Sequence, residues 1–131
     1  MARAADLDLT GHWSGIYNYP RTLPSTPFEA VIRDSGGFIT GETEEPGAHG
    51  GTLHATIEGR RRSSEVRFRK AYDELPQAAH PVEYEGIVAE GGDEIHGRWQ
   101  IGDHWSGTFL MVRDGGAKEE AAELEGAEVR A

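Results

Sequence analysis

Residues 94–113 read EIHGRWQIGDHWSGTFLMVR. Two runs of alternating residues flank Gly102-Asp103, the pattern of two half-buried strands joined by a tight turn. Ile95, Gly97, Trp99 and Ile101 share one parity, and His96, Arg98 and Gln100 share the other. Successive side chains on a strand point to opposite faces, so Trp99 is expected to face a core. After the turn, Trp105, Phe109 and Met111 share a face, and Thr108, Leu110 and Val112 share the opposite one. Both faces are largely apolar. One of them is therefore expected to cover something outside the core, and Trp105 is the residue expected to report a partner interface. His104-Trp105-Ser106-Gly107 also repeats His12-Trp13-Ser14-Gly15 from the other end of the chain. First and last strands that look alike, with hairpins between them, suggest a sheet closed on itself.

The same alternation extends outward from this stretch. Runs at 9–19, 28–34, 38–45, 52–58, 65–72, 82–89, 94–101 and 104–113 read as strands. Pro20, Pro24 and Pro27 break the chain into a loop, because proline donates nothing to a ladder. Asp34-Ser35-Gly36-Gly37, Gly59 to Ser64 and Glu90-Gly91-Gly92-Asp93 read as turns, where glycine supplies positive φ. About eight short strands at regular spacing predict an all-β fold, an eight-stranded antiparallel up-and-down β-barrel. Its domain spans 7–114. Residues 1–6 are expected to be a disordered extension, and 115–131 a flexible or weakly helical acidic tail.

A chain of 131 residues is one domain by length. It has no cysteine, so disulfides are excluded. Thirteen Lys+Arg against 23 Asp+Glu give a formal net charge of -10, which argues against a nucleic-acid partner. The basic run Arg60-Arg61-Arg62 reads as a solvated hairpin tip. No run of about 18 apolar residues is present, so no membrane partner is expected. The first ten residues, MARAADLDLT, lack the apolar stretch of a secretory signal, which leaves a cytoplasmic location as the expectation.

Seven residues share the inward parity and are aromatic: Trp13, Tyr17, Tyr19, Phe68, Tyr72, Tyr84 and Trp99. Two readings stand. They fill the barrel, or they line a pocket, since a lumen of this size holds side chains or one small ligand. Buried phenols need partners, so converging tyrosines would form a polar-aromatic cup. Lys70 shares a face with Phe68 and Tyr72. It reads as a rim lysine paired with a carboxylate, or as an anion-binding group at the mouth. The histidines His12, His49, His54, His80, His96 and His104 show no recognised metal spacing, so no metal and no cofactor are expected. Ser14 and Ser106 sit in Trp-Ser-Gly, not in a nucleophile elbow, and no carboxylate pair is set up for acid–base work. Enzyme activity is therefore not indicated.

An ordered series of residues resembles the avidin and streptavidin barrels, which are of calycin type. The series is Gly11-x-Trp13, Ile39-Thr40-Gly41, Ile57-Glu58-Gly59-Arg60, Val66-x-Phe68-x-Lys70-x-Tyr72, Tyr84-x-Gly86, Trp99 followed by Ile101, and Trp105-Ser106. The likeness runs over residues 9–114. It implies a barrel with a ligand-binding habit, in which Phe68, Tyr84 and Trp99 stand at aromatic wall positions and Asp114 near a ligand-facing aspartate. The family's polar donors are replaced, with Gly15, Tyr19, Thr43 and Glu45 at their positions. Each donor missing from a buried site costs about 1–3 kcal/mol, so the implied ligand is not biotin.

The sequence thus points to a non-enzymatic barrel binding a small, partly aromatic or amphipathic molecule at one mouth. Trp13, Tyr17, Tyr19, Phe68, Tyr84 and Trp99 would form its walls, with Lys70 and Tyr72 nearer the rim. The alternative is a filled barrel acting as an interaction or oligomerisation module. Ile16, Val31, Ile39 and Ile87 would then face outward in a homo-oligomer interface.

Overall fold

The computed structural model describes residues 7–20, 24–47, 50–73, 81–103 and 105–114. The expected extension at 1–6 and tail at 115–131 lie outside the described residues. Eight strands follow one another: β1 (Gly11–Asn18), β2 (Thr26–Ser35), β3 (Phe38–Pro46), β4 (Thr52–Arg62), β5 (Glu65–Tyr72), β6 (Val82–Val88), β7 (Glu94–Ile101) and β8 (Trp105–Arg113). Each pairs antiparallel with its neighbour in sequence, and β8 returns to β1, so the barrel is closed. Closure removes the unpaired edges that an open sheet of these strands would leave.

Alternation places the inward set. Trp13 and Tyr17 on β1, Phe28, Ala30 and Ile32 on β2, and Ile95 and Trp99 on β7 are buried, as are Phe109 and Met111 on β8. The lumen is filled by these side chains, each no more than 8% exposed. Phe68 stacks on Tyr84 with ring centroids 4.8 Å apart, and Phe109 meets the edge of Tyr84 at 5.0 Å. Small residues make room for large ones. A Cβ at Gly15 would lie 2.2 Å from the Phe28 ring, and one at Gly107 would lie 2.7 Å from Trp99.

Three expectations need correction. Arg60-Arg61-Arg62 lies within β4, and Ser63-Ser64 make the turn, with Ser63 at a φ of 55°. Arg62 still pairs with Glu65 across the hairpin, so the ladder runs further than the glycine at 59 suggested. Pro27 belongs to β2, opposite Ile16. Pairing between β2 and β3 starts only at Glu29, so its missing N–H breaks no bond on that side. Ile39 faces the lumen and is fully buried, because the turn at Gly36-Gly37 puts Phe38, 58% exposed, on the outer wall instead.

The two ends of the barrel differ. At one end Leu9 is a buried plug, and the Trp13 indole N–H donates to the Leu9 carbonyl at 2.8 Å. The Arg113 guanidinium lies 4.6 Å from the Trp13 ring centroid and donates to the carbonyls of Asp8, Thr10 and Gly92, each at 2.8 Å. Asp34 accepts from Leu9 N, Gly37 N and Arg61 Nε at 3.1, 2.8 and 2.9 Å. It ties the plug to the β2–β3 turn and to β4. The other end, where β1, β3, β5 and β7 finish, is the mouth.

Candidate functional site

The inward face of β3 changes character along its length, from Ile39 and Gly41 to Thr43 and Glu45. Glu45 is only 5% exposed, inside an otherwise aromatic mouth. A carboxylate buried there must be paired and hydrogen-bonded. Its Oε1 accepts from Lys70 Nζ at 2.9 Å and from the Tyr72 hydroxyl at 2.7 Å. Its Oε2 accepts from the Tyr17 hydroxyl at 2.5 Å. Lys70, 1% exposed, and Tyr72 come from β5 and Tyr17 from β1, so side chains of two strands converge across the lumen on one carboxylate carried by β3. The ammonium stands 4.8 Å from the ring centroids of Tyr17 and Tyr72, and 5.3 Å from those of Phe28 and Tyr84. Ring faces attract a desolvated cation, so this box adds to the ion pair.

The network continues toward the mouth. The Tyr19 hydroxyl donates to the Tyr17 oxygen at 3.4 Å, and the Thr26 hydroxyl donates to the Tyr19 oxygen at 3.4 Å. Above it lies an aromatic rim. Tyr19 meets Tyr17 edge-on at 5.4 Å and Trp99 at 5.7 Å, with Trp105 at 6.2 Å. Trp99 is pinned by its indole N–H, which donates to the Asn18 carbonyl at 2.9 Å. Trp105 is 39% exposed and 6.4 Å from the Trp99 ring.

Burial pushes the Tyr17, Tyr72 and Tyr84 phenols well above the usual tyrosine range, and the neighbouring Glu45 charge adds to this in all three. Burial pushes the Lys70 ammonium down, against the pull of Glu45. Thr43 Oγ1 is buried, and no partner reaches it among the described residues.

The structure therefore brings Tyr17, Tyr19, Lys70, Tyr72, Tyr84 and Trp99 together at the mouth. Phe68 stands beside Tyr84 within the packed body. Trp13 does not join them, since it belongs to the plug at the far end. Lys70 is not a rim group, for its charge is spent on Glu45 beneath the surface. The pairing with a carboxylate matches the first of the two readings given for it. Trp105 shares the inward parity of Phe109 and Met111, so it lines the mouth instead of an outer-wall interface; Leu110 and Val112 take the outer wall. Asp114 faces outward too, accepting from Ser14 Oγ at 2.9 Å. Its position was set by one step of parity at the strand end.

Glu45 was the missed member. Ile39, which shares its parity, was expected on the outer wall, so the signal that could have found Glu45 is the inward lysine on β5, which called for an inward acid. His54 stands 3.7 Å from Glu44, and His12 and His96 are exposed. His49, His80 and His104 lie outside the described residues. The arrangement gathers one carboxylate, one ammonium and a set of phenols. It offers a fixed polar floor under an aromatic rim.

No family model matches the chain, and no curated protein matches it. A solved structure of a de novo designed fluorescence-activating β-barrel is similar, at 15% identity and a TM-score of 0.58, covering 87% of this chain and all of that one (100%). The likeness shows the fold, a closed eight-stranded antiparallel barrel.

Proposed function

We propose that this chain is a non-enzymatic binding barrel that takes a small, flat, partly aromatic molecule at its mouth, seated on Tyr19, Tyr72 and Trp105. The observation that carries this is the buried Glu45–Lys70 pair, with its two phenols, directly beneath a partly exposed aromatic rim. A buried ion pair contributes little net stability compared with apolar packing. At the opposite end the charged groups, Arg113 and the Asp34–Arg61 pair, hold an apolar plug of Leu9 and Trp13, whereas at the mouth the charged pair lies beneath partly exposed aromatic rings. A few fixed polar groups within an aromatic wall are what orient a small ligand. The designed neighbour is fluorescence-activating, which makes a binding barrel a natural use of this fold.

A thermal-shift screen of planar aromatic metabolites tests the reading. Ligand at 100 times its Kd should add about 2.7 kcal/mol of stability. Trp105→Ala is expected to abolish that shift while leaving the unliganded protein folded. A broad library without a single hit would count against the proposal. Kinship with the avidin-like barrels belongs to the same proposal, supported by the ordered residues from Gly11 to Ser106. With Gly15 and Glu45 in place of its donors, only weak biotin binding is expected, and tight binding in a titration would contradict this.

A second reading has an observation of its own. The outward positions of β1 are His12, Ser14, Ile16 and Asn18, and those of β8 are Ser106, Thr108, Leu110 and Val112, with Ile16 opposite Leu110. None carries a formal charge, whereas β2, β3, β5 and β6 display the pairs Arg33–Glu42, Arg67–Glu85 and Arg69–Glu83. This uncharged stripe suits a homo-oligomer interface. Sedimentation over a concentration series, with Leu110→Lys as the disrupting variant, decides it; a strict monomer ends it.

A further inference from the structure

We infer that the mouth is polarised to accept hydrogen bonds, so that its ligand class is the flat aromatic cation or N–H donor and not the aromatic acid. The inference rests on the mouth being the binding site and adds the chemistry of what it takes. Ionised Glu45 can only accept. The hydroxyl protons of Tyr17 and Tyr72 are therefore both committed to it. With Tyr17's proton spent, Tyr19 must donate to Tyr17, and Thr26 donates in turn to Tyr19. Each hydroxyl of this hydrogen-bonded series, Tyr17, Tyr72, Tyr19 and Thr26, points its proton inward toward one carboxylate. What each has left for a ligand is a lone pair. The Trp99 N–H is also spent, on the Asn18 carbonyl.

The charges at this end agree with the polarity. Among the described residues at 17–20, 24–26, 44–47, 50–54, 71–73, 81–82, 99–103 and 105–106 there is no lysine or arginine, while Glu44, Asp73 and Asp103 are exposed acids. Lys70 lies just below but is enclosed by four rings and Glu45. Trp105 brings one neutral N–H at the exposed edge, together with a ring face that favours a cation. The whole chain carries -10, which draws cations toward it. A flat ring laid over the exposed side of Tyr19 and Trp105, whose centroids stand 6.2 Å apart, with an ammonium or ring N–H directed at a phenol oxygen, suits these groups.

Calorimetric titration of the full chain with tryptamine, indole and indole-3-acetate tests this, because the three share a ring and differ in charge. Tryptamine is expected to bind more tightly than indole-3-acetate by roughly tenfold or more, the scale of one charge-assisted hydrogen bond. Indole should fall between them. Trp105→Ala is expected to remove the preference, which separates the mouth from general attraction of cations to an acidic surface. Tyr72→Phe, which deletes one of the acceptor oxygens, is expected to weaken tryptamine several-fold and leave indole-3-acetate unchanged. Equal or tighter binding of indole-3-acetate would overturn the polarity and leave the mouth as a site. A tryptamine preference that survives Trp105→Ala would also overturn it. Failure of all three probes would overturn the binding reading itself, and the polarity with it.

Discussion

At the scale of single residues, Glu45 and Lys70 are the most informative pair. Removing one partner leaves a buried charge without compensation, so Glu45→Leu or Lys70→Met alone is expected to cost about 3–5 kcal/mol. The double change Glu45→Leu with Lys70→Met should cost far less than the sum, because it removes both desolvation penalties. Urea unfolding of the four members of this cycle gives the coupling energy directly, and additive costs would mean that the two side chains do not act as a pair. Thr43 makes the opposite case. Its hydroxyl is buried without a partner among the described residues. Thr43→Val keeps the shape and drops an unmet polar group, so it is expected to raise stability by about 1 kcal/mol. Only half of this residue chemistry was legible beforehand. Parity alone put Tyr17, Lys70, Tyr72 and Tyr84 on one side. Finding the acid that completes them required following β3 past Gly41 into a stretch whose glutamates alternate, Glu42 and Glu44 outward and Glu45 inward. In an acidic chain, one inward glutamate looks like its neighbours.

The same residues give a pH dependence. Tyr17, Tyr72 and Tyr84 have folded values raised above the ordinary tyrosine value of 10.0. Below that pH both states keep these protons, and nothing changes. Above it the unfolded chain loses them first, so the folded state holds more protons and stability falls as pH rises. Lys70 works the other way. Its folded value is lowered from 10.5, so between that lowered value and 10.5 the unfolded chain holds more protons and stability rises slightly with pH. Three phenols outweigh one amine. Urea midpoints are expected to hold or rise gently up to about pH 10 and to fall beyond it, with tyrosinate absorbance appearing together with unfolding. Early tyrosinate absorbance from all of the tyrosines in a still-folded protein would contradict the burial of these phenols.

At the scale of elements, strand order and most boundaries follow from period two and glycine turns. β5 and β7 match their expected spans residue for residue, at Glu65–Tyr72 and Glu94–Ile101. The errors cluster where a turn was judged from composition. Gly59 and three arginines looked like a hairpin tip, yet Gly59 is a strand glycine whose added Cβ would strike the Arg67 carbonyl at 1.9 Å. Close approach of two backbones, not a reversal of the chain, explains it. β8 was ambiguous because both of its faces are apolar. Closure onto β1 resolves it, with Phe109 inside and Leu110 beside Ile16 outside. Arg113, at the end of this strand, is the clasp of the plug. Arg113→Ala removes its hydrogen bonds to the Asp8, Thr10 and Gly92 carbonyls and its contact with Trp13. It is expected to cost about 2–4 kcal/mol while leaving ligand affinity at the mouth unchanged. Denaturation and titration of the same variant check both halves, and a change in affinity would mean that the two ends are coupled.

At the scale of the whole molecule, the repeated Trp-Ser-Gly motifs have opposite fates. β1 and β8 are antiparallel neighbours, so Trp13 and Trp105 fall at opposite ends of the barrel. Trp13 closes one end beneath Leu9 and Arg113, and Trp105 stays partly exposed at the other. The middle is a packed core, so the pocket that the inward aromatics suggested shrinks to the mouth. Phe68 and Tyr84 serve as its support. That division was not legible, because alternation tells inside from outside but not the distance from an end at which charge enters the lumen. The most direct test of the mouth as a binding site is amide chemical-shift mapping of the full chain during tryptamine titration. The expected result is perturbation concentrated at residues 17–20, 71–73 and 99–107. Perturbation confined to the outer wall of β1 and β8, or to residues 7–10 and Arg113 at the plugged end, would contradict it.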